Sequence, residues 1–394
     1  MTAYSDIVEG LFSLNRAEET KLDLTSSRAF AKKLGNPQDS FKTIHIAGTN
    51  GKGSVASKIA EVLRLSGYRV GLYTSPHLIS YRERIVINQE MISEEKVVEG
   101  LKKLFQLAKE MEVQPKFFEL TTHLAFAYFA QQKVDVAIIE TGLGGRLDTT
   151  NIIKPLISVI TTVGFDHQEV LGESLREIAF EKGGIIKKNT PVVLGPSANL
   201  DVLRKQANNL KATVHIGKQC DDENREIASE AIELLSSHFL IPGVAKLEGL
   251  QKEPRCRFEI LSENVVLDVA HNQSAFERLF ARTKKAFPNR PIYLLFSISK
   301  EKDLDSIIGL FKENVAQVAL FSSLHPRLLA PREIGMKLKE VGFHQWEVFE
   351  AAGAAFKTLL NGGKKHNGII LVAGSFYMME EVLTYSSDFK FSTS

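Results

Sequence analysis

"HIAGTNGKGSVASKIAEVL", His45 to Leu63, sets a glycine-rich loop with one lysine between an apolar run and a run of helical period. Whether that loop is a phosphate cradle or a tight turn that glycine happens to suit decides the fold. Upstream, "TIHIAG" reads as a strand; downstream, Val55, Ile59, Val62 and Leu63 recur at helical spacing until Gly67 stops the run. Strand, glycine loop, helix is the context a phosphate loop requires. Glycines let backbone N–H groups curl around an oxyanion, and the helix N-terminus adds partial positive charge. On this reading Thr49, Asn50, Gly51, Lys52, Gly53 and Ser54 grip a phosphate chain, with Lys52 neutralising the outer phosphates and Ser54 reaching a phosphate or its metal. The spacing departs from the usual GxxxxGK[ST], because Gly53 separates lysine from serine.

The rest of the chain is consistent with a large soluble protein. Its 394 residues suffice for two domains of ordinary size. Lysine and arginine number 49 against 47 acidic residues, a net charge of +2, so there is no global field to steer the chain to nucleic acid or an anionic membrane. Any anion must be gripped locally. Only Cys220 and Cys256 are present, without CxxC or HExxH, which argues against a disulfide framework and a sequence-local zinc site and fits a reducing cytoplasm. The opening "MTAYSDIVEG" lacks the basic start and apolar core of a secretory signal, and no apolar run approaches the ~20 residues of a membrane span. A cytoplasmic location is expected.

Apolar β-rich runs alternate with helical periods throughout: "RVGLYT", "VDVAIIE", "LISVITTV" and "PVVLG", then "VVLDVA", "PIYLLFS", "VALFSS" and "GIILVAG". Near-continuous apolar strands separated by helices imply parallel sheets covered on both faces, so the fold class is α/β. The pattern weakens between Asn209 and Phe258, where "LIPGVAKLEGLQKEPRCRF" mixes a Pro-Gly turn with charges. The boundary is placed near Leu250, giving domains 1–250 and 251–394. No fixed-period repeat or low-complexity tract stands out.

"GTNGKGS" is followed in order by "YTSPHLISYRERI" from Tyr73, "FFEL" from Phe117, "ETGLGGRLDTTN" from Glu140, "DHQEVLG" from Asp166, "IAFEKGGIIK" from Ile178, "LDVAHN" from Leu267 and "VAGSFY" from Val372. The set resembles the folylpolyglutamate synthase/dihydrofolate synthase family of the Mur ligase superfamily, over nearly the whole chain. The resemblance implies an N-terminal P-loop ATPase domain with a mainly parallel sheet, a smaller Rossmann-like C-terminal domain, and an active site in the cleft between them.

Site residues follow from position first. Glu140 ends the strand "VDVAIIE", and the carboxyl ends of parallel strands are where doubly wound sheets place their chemistry. Its carboxylate is a sensible magnesium ligand, though a capped strand end is the bland alternative. His167 follows "LISVITTV" and, read alone, is a hydrogen-bonded structural histidine. Lys182, ending an amphipathic helix, reads alone as a solvated cation or as something more. The resemblance implies that Ser75 joins Glu140 on one magnesium ion, that His167 ligates a second, and that Lys182 is carbamylated, which would turn a cation into an anionic oxygen group. His45, His77 and His123 match no metal spacing, although His77 lies within a substrate loop.

"ETGLGGRLDTTN" lacks the GxGxxG order of a dinucleotide site and suits a substrate loop better. By resemblance Leu147, Asp148 and Thr149, with Lys116, Phe117, Phe118 and Glu119, hold a pteroate group; the two phenylalanines could stack on it or belong to the core. In the second half, Asp268 at a strand end is a plausible ribose partner, and Arg257 matches an arginine that meets ATP phosphates from the second domain. Cys256 stands where the family carries glycine, and Arg255 is a rival to Arg257. Asn224 corresponds by spacing to an adenine-contacting asparagine, in a stretch whose surroundings are poorly kept.

Together these imply an ATP-dependent ligase that adds L-glutamate to dihydropteroate and to reduced folates through an acyl phosphate, in a monomer without nucleic-acid or membrane partners. A folylpolyglutamate-only enzyme is the runner-up. A P-loop phosphotransferase would leave the second-half motifs without a role, and a noncatalytic nucleotide-binding module would need the metal positions to be vacant.

Overall fold

The computed structural model describes residues 2–14 and 23–388. The chain divides into two compact units, Met1–Glu253 and Pro254–Ser394. The sequence places that division near Leu250; in the structure it falls at the Glu253–Pro254 bond.

Among the described residues of the first unit eight strands form one sheet: β1 Lys42–Ala47, β2 Val70–Tyr73, β3 Ile85–Ile87, β4 Glu90–Met91, β5 Val136–Glu140, β6 Ile157–Ile160, β7 Val192–Leu194 and β8 Val214–Ile216. Their order is β4-β3-β2-β5-β1-β6-β7-β8. All neighbours are parallel except β2–β3 and β3–β4, which close one edge with antiparallel pairs. The helices of this unit are α1 Ala3–Ser13, α2 Thr25–Lys33, α3 Lys52–Leu65, α4 Glu94–Glu110, α5 Phe117–Gln131, α6 Gln168–Leu171, α7 Leu175–Gly183, α8 Asp201–Asn209, α9 Glu223–Leu235 and α10 Gly243–Gly249.

Side-chain alternation explains why β5 is apolar from Val136 to Ile139, up to the Glu140 that closes it. Val136 and Ile138 face a core shared with Val55, Ile59 and Val62 of α3 and Ile227, Ala231 and Leu235 of α9. Ala137 and Ile139 face the opposite core, with Leu101 and Leu104 of α4 and Leu120, Leu124 and Phe126 of α5. Both faces are covered, so neither set can be polar. The strand order supplies the function. β5 and β6 flank β1, and β2 lies beyond β5, so the loops leaving β2, β5, β1 and β6 emerge side by side at one end of the sheet. A crevice at such a reversal of strand order is the usual ligand position in an open α/β sheet.

Among the described residues of the second unit one sheet has six strands, β9 Glu259–Ser262, β10 Val265–Leu267, β11 Ile292–Phe296, β12 Gln317–Phe321, β13 Trp346–Phe349 and β14 Ile369–Ala373, in the order β13-β12-β11-β14-β10-β9. Only the β9–β10 pair is antiparallel. Its helices are α11 Gln273–Ala286, α12 Leu304–Ile308, α13 Phe311–Asn314, α14 Pro331–Glu340, α15 Ala352–Lys365 and α16 Met379–Asp388. Phe276, Phe280, Phe296 and Phe311 interlock at the centre of its core with tilted and edge-on ring contacts. Among the described residues no helix is long and apolar enough to cross a membrane.

Candidate active site

The loop between β1 and α3 is fixed by contacts that only its own residue types allow. Gly48 (φ 152°) and Gly51 (φ 86°) have backbone angles that side chains resist, and a Cβ on Gly48 would collide with the Thr161 hydroxyl. Two threonines at the end of β6 strap the loop: the N–H of Thr49 donates to Thr162 O (2.9 Å), that of Asn50 to Thr162 Oγ1 (2.8 Å), and Thr161 Oγ1 donates to Asn50 O (2.6 Å). The first-turn N–H groups of Lys52, Gly53 and Ser54 have no acceptor within α3. Lys52 Nζ curls back over the loop, donating to Gly48 O (3.0 Å) and Thr49 O (3.3 Å), while Ser54 is buried. Asn224, in the first turn of α9, lies against Gly51, whose Cβ would strike Asn224 Oδ1. The least well matched of the expected nucleotide residues is therefore a neighbour of the phosphate loop.

The adjacent strand ends carry the expected metal residues. Glu140 closes β5 level with Ile46 of β1, is 3% exposed, and accepts the Ser75 N–H on Oε2 (3.0 Å). A Cβ on Gly53 would lie 3.6 Å from the same oxygen, so this carboxylate sits beside the start of α3. His167, in the segment between β6 and α6, has a left-handed backbone (φ 51°) and stands at the N-cap position of α6 without a side-chain capping bond; its ring faces Asp166 (3.8 Å) and Glu169 (3.6 Å). A buried hard-oxygen ligand beside a phosphate loop fits a divalent cation. Among the described residues no three His, Cys, Asp or Glu side chains gather into a metal cluster; the expected set draws only Glu140 and His167 from those types.

Lys182 lies in the last turn of α7 and is 3% exposed, which removes the solvated-cation reading. The glycine loop after β5 packs directly on this turn: a Cβ on Gly145 would meet Lys182 O at 2.8 Å, and the Arg146 N–H donates to Glu181 O (2.7 Å).

Asp148 organises that glycine loop from within. One carboxylate oxygen accepts the N–H groups of Gly142 (2.8 Å) and Leu143 (2.9 Å), and the other accepts Thr150 N (2.9 Å) and its hydroxyl. Burial nevertheless pushes its pKa up. Thr150 Oγ1 also bonds His45 Nε2 (2.8 Å), so Asp148, Thr150 and His45 form one buried chain. His45 is held neutral, its pKa well below the ordinary value through burial and then through Lys187. Leu147 and Thr149 flank Asp148, half-buried. Phe117 starts α5 buried, stacked on Phe12 (5.4 Å) beneath the Arg84 guanidinium (5.0 Å), whereas half-buried Phe118 packs on Tyr73 and against Gly142. Lys116 is the residue before α5, and Glu119 is buried, its pKa raised by that burial.

Lys187 gives this region a pH signature. Its ammonium donates to Asn151 O (3.2 Å) and Oδ1 (2.6 Å), and burial, helped by Arg28, lowers its pKa to about 8. Because the folded pKa lies below the unfolded one, the unfolded chain holds more protons between pH 8 and the ordinary lysine value, and stability carried by this group rises with pH there. Thermal unfolding of Lys187→Met and the parent should therefore show a difference that shifts in favour of the parent from pH 8 to pH 10. A pH-independent difference would refute this.

In the second unit, Asp268 follows β10 and accepts Phe258 N–H on one oxygen and Ala270 N–H on the other, both 2.8 Å; burial raises its pKa against the pull of Arg257. Arg257 lies over the Phe376 ring (5.0 Å), which His271 also faces (6.0 Å). Arg255 points elsewhere, paired with Glu259 (2.6 Å). Cys256 adopts the left-handed conformation (φ 55°) that glycine would take without strain, held by its N–H to Glu259 Oε2 (2.8 Å). The turn survives the exchange of glycine for cysteine. The strap Thr161–Thr162, the His45–Thr150 pair and Lys187 lie outside the sequence-based site; paired threonines directly after an apolar strand were the available signal.

Comparison with known proteins matches residues 46–245 to the Mur ligase middle domain and residues 256–376 to the Mur ligase glutamate ligase domain. The chain is 34% identical to the dihydrofolate synthase/folylpolyglutamate synthase of Bacillus subtilis, over 89% of this chain and 91% of that protein. It is similar to the crystal structure of folylpolyglutamate synthase from Thermotoga maritima, at 31% identity and TM-score 0.82, covering 99% and 98% of the two chains. It is also similar to the bifunctional folylpolyglutamate synthase/dihydrofolate synthase from Yersinia pestis complexed with AMPPNP and Mn ion, at 26% identity and TM-score 0.86, covering 98% and 99%. The matches run through both units, and the chain belongs to the dihydrofolate synthase/folylpolyglutamate synthase family of Mur ligases.

Proposed function

We propose that the chain is an ATP-dependent ligase that joins L-glutamate to dihydropteroate and to reduced folates. The observation that supports this reading is the contact of Ser75 N–H with Glu140 beside the glycine loop 48–54, on three adjacent strand ends, with His167 in the segment that leaves the next strand. The Bacillus subtilis relative, matched almost end to end, bears both activities in its name, which favours the dual enzyme over a folylpolyglutamate synthase alone.

The acceptor carboxylate attacks the γ-phosphorus of ATP; an O–P bond forms, the bridging P–O bond breaks, and ADP departs. The neutral amine of glutamate then attacks the acyl carbon, phosphate leaves, and the nitrogen loses a proton to give the amide. No covalent enzyme intermediate is needed. The loop amides and Lys52 hold and neutralise the phosphates, and Arg257 is the proposed fixed cationic fork for them. A divalent cation, by ligand chemistry magnesium, would be held by Ser75 and Glu140, with His167 and a carbamylated Lys182 serving a second ion; it supplies charge neutralisation on the phosphates. The Asp148 bonds to Gly142, Leu143 and Thr150 keep the pteroate-side loop in one shape, against which Phe118 offers a ring face.

The test supplies dihydropteroate and tetrahydrofolate separately, with ATP and glutamate, and follows amide products by mass. Products from both are expected, with ADP release needing acceptor and glutamate together. Extension of tetrahydrofolate alone would leave a ligase without the first activity. ADP release independent of glutamate would overturn the ligase reading.

A further inference from the structure

One buried cation ties the exit of the first unit to the phosphate-loop helix. Lys58 is 1% exposed, on the α3 face that carries Val55, Ile59 and Val62. Its ammonium donates to Leu250 O (3.0 Å), Lys252 O (3.1 Å) and Glu253 Oε1 (2.8 Å), using all three of its N–H groups. These acceptors belong to the last four residues of the first unit. The approach is reinforced by α10, which packs on α3 so closely that a Cβ on Gly249 would lie 2.6 Å from Val62 N. Lys58 stands six residues after Lys52, about 9 Å along the same helix axis.

The second unit grips the chain almost at once. Glu259 accepts from Arg255 Nε (2.6 Å) and Cys256 N (2.8 Å), and Asp268 accepts from Phe258 N (2.8 Å). Between Glu253, whose carboxylate Lys58 holds, and Cys256, whose backbone N–H Glu259 holds, stand Pro254 and Arg255, and the proline ring fixes one dihedral of that pair.

Stability alone does not account for Lys58. Replacing a buried ion pair by well-packed apolar groups is often neutral or stabilising, whereas three directional bonds fix a geometry that an apolar side chain would leave loose. We propose that Lys58 is a positioning residue for the ligase reaction: it pins the linker to the phosphate-loop helix and confines the joint between the units to Pro254 and Arg255. Arg257 then starts from a fixed point, on a tether whose fully extended reach from Glu253 is about 14 Å. The inference rests on the ligase reading and on the role proposed for Arg257.

The experiment compares the full-length parent, Lys58→Met and Glu253→Ala in kcat and KM for ATP, tetrahydrofolate and glutamate, in equilibrium ADP binding, and in the rate of tryptic cleavage at Lys252 and Arg255. For Lys58→Met, kcat should fall about tenfold or more, the scale expected when a catalytic group is misplaced by less than an ångström or so. ADP affinity should stay within about twofold and linker cleavage should quicken, because the loop keeps its other contacts. Glu253→Ala, which removes one of three acceptors at a partly exposed position, should shift kcat and cleavage in the same direction by less. Unchanged kcat in Lys58→Met overturns the proposal, as does a parallel loss of kcat and ADP affinity, the mark of a merely structural lysine. If Lys58→Met does not fold, Glu253→Ala decides, and unchanged kcat with unchanged cleavage overturns it. A parent without glutamate-dependent ADP release fails the ligase reading first, and this inference with it.

Discussion

Lys52→Ala will lower kcat/KM for ATP by a hundredfold or more while the protein stays folded, since removing one preorganised charge-stabilising donor costs roughly 3 to 4 kcal/mol of barrier. The structure argues both halves of that result. Lys52 donates to Gly48 O and Thr49 O, partly exposed hydrogen bonds each worth about 1 kcal/mol, and its ammonium lies on the loop rather than in a hydrophobic cluster. The loop itself keeps the straps from Thr161 and Thr162, which do not involve the ammonium. Circular dichroism should therefore match the parent, and the melting temperature should drop by only a few degrees. Lys52→Arg should recover little, because a planar fork replaces a compact point charge in a loop cut to the latter. A Lys52→Ala enzyme within threefold of the parent would remove the loop from the mechanism.

What the sequence made legible was whatever is local. Strand, glycine loop and helix at 42–65 are contiguous, so the phosphate loop needed no knowledge of its neighbours, and every apolar run singled out along the chain is a strand of one of the two sheets. Strand order is not local. That β2, β5, β1 and β6 stand side by side follows from crossovers, and only this order sets Ser75 against Glu140, 65 positions apart in the chain (75 to 140), and starts the segment that carries His167 on a nearby strand. Asp148 is the sharper case. Its residue type and glycine-rich setting suit a substrate grip, yet four of its bonds run to Gly142, Leu143 and Thr150, and an Asx-type brace becomes visible only once the backbone path is known. Cys256 is the reverse: a residue ill-suited to a left-handed turn is held in one by Glu259, and Val269 N–H reaches its carbonyl (3.0 Å). Lys58 did carry a signal, a lysine on the apolar stripe between Val55 and Val62, but its partners lie more than 190 residues away.

Lys182→Ala will be as inactive as Lys52→Ala, and for a reason that separates a carbamate from an ordinary amine. A lysine in the last helical turn normally lies in solvent near the partial negative charge of the helix end. Lys182 is instead 3% exposed, in a turn whose Glu181 and Lys182 carbonyls are pressed by the glycine loop that follows Glu140. In the proposed site an ammonium would repel the cation that is to be held beside phosphate. A carbamate reverses the sign: the amine lone pair attacks the carbon of CO2, the nitrogen gives up a proton, and the product carries an anionic oxygen pair. The expected results are a loss of about a hundredfold or more in kcat for Lys182→Ala, on the scale of other charge-stabilising groups, and partial rescue by formate or acetate filling the vacated anion site. A readout independent of turnover is the carbamate resonance from isotope-labelled CO2, present in the parent and missing in Lys182→Ala. Stripping CO2 from the parent should lower activity, and bicarbonate should restore it. An unmodified Lys182 amine found by mass in the fully active, metal-loaded parent would sink the assignment while leaving the phosphate loop and Glu140 in place.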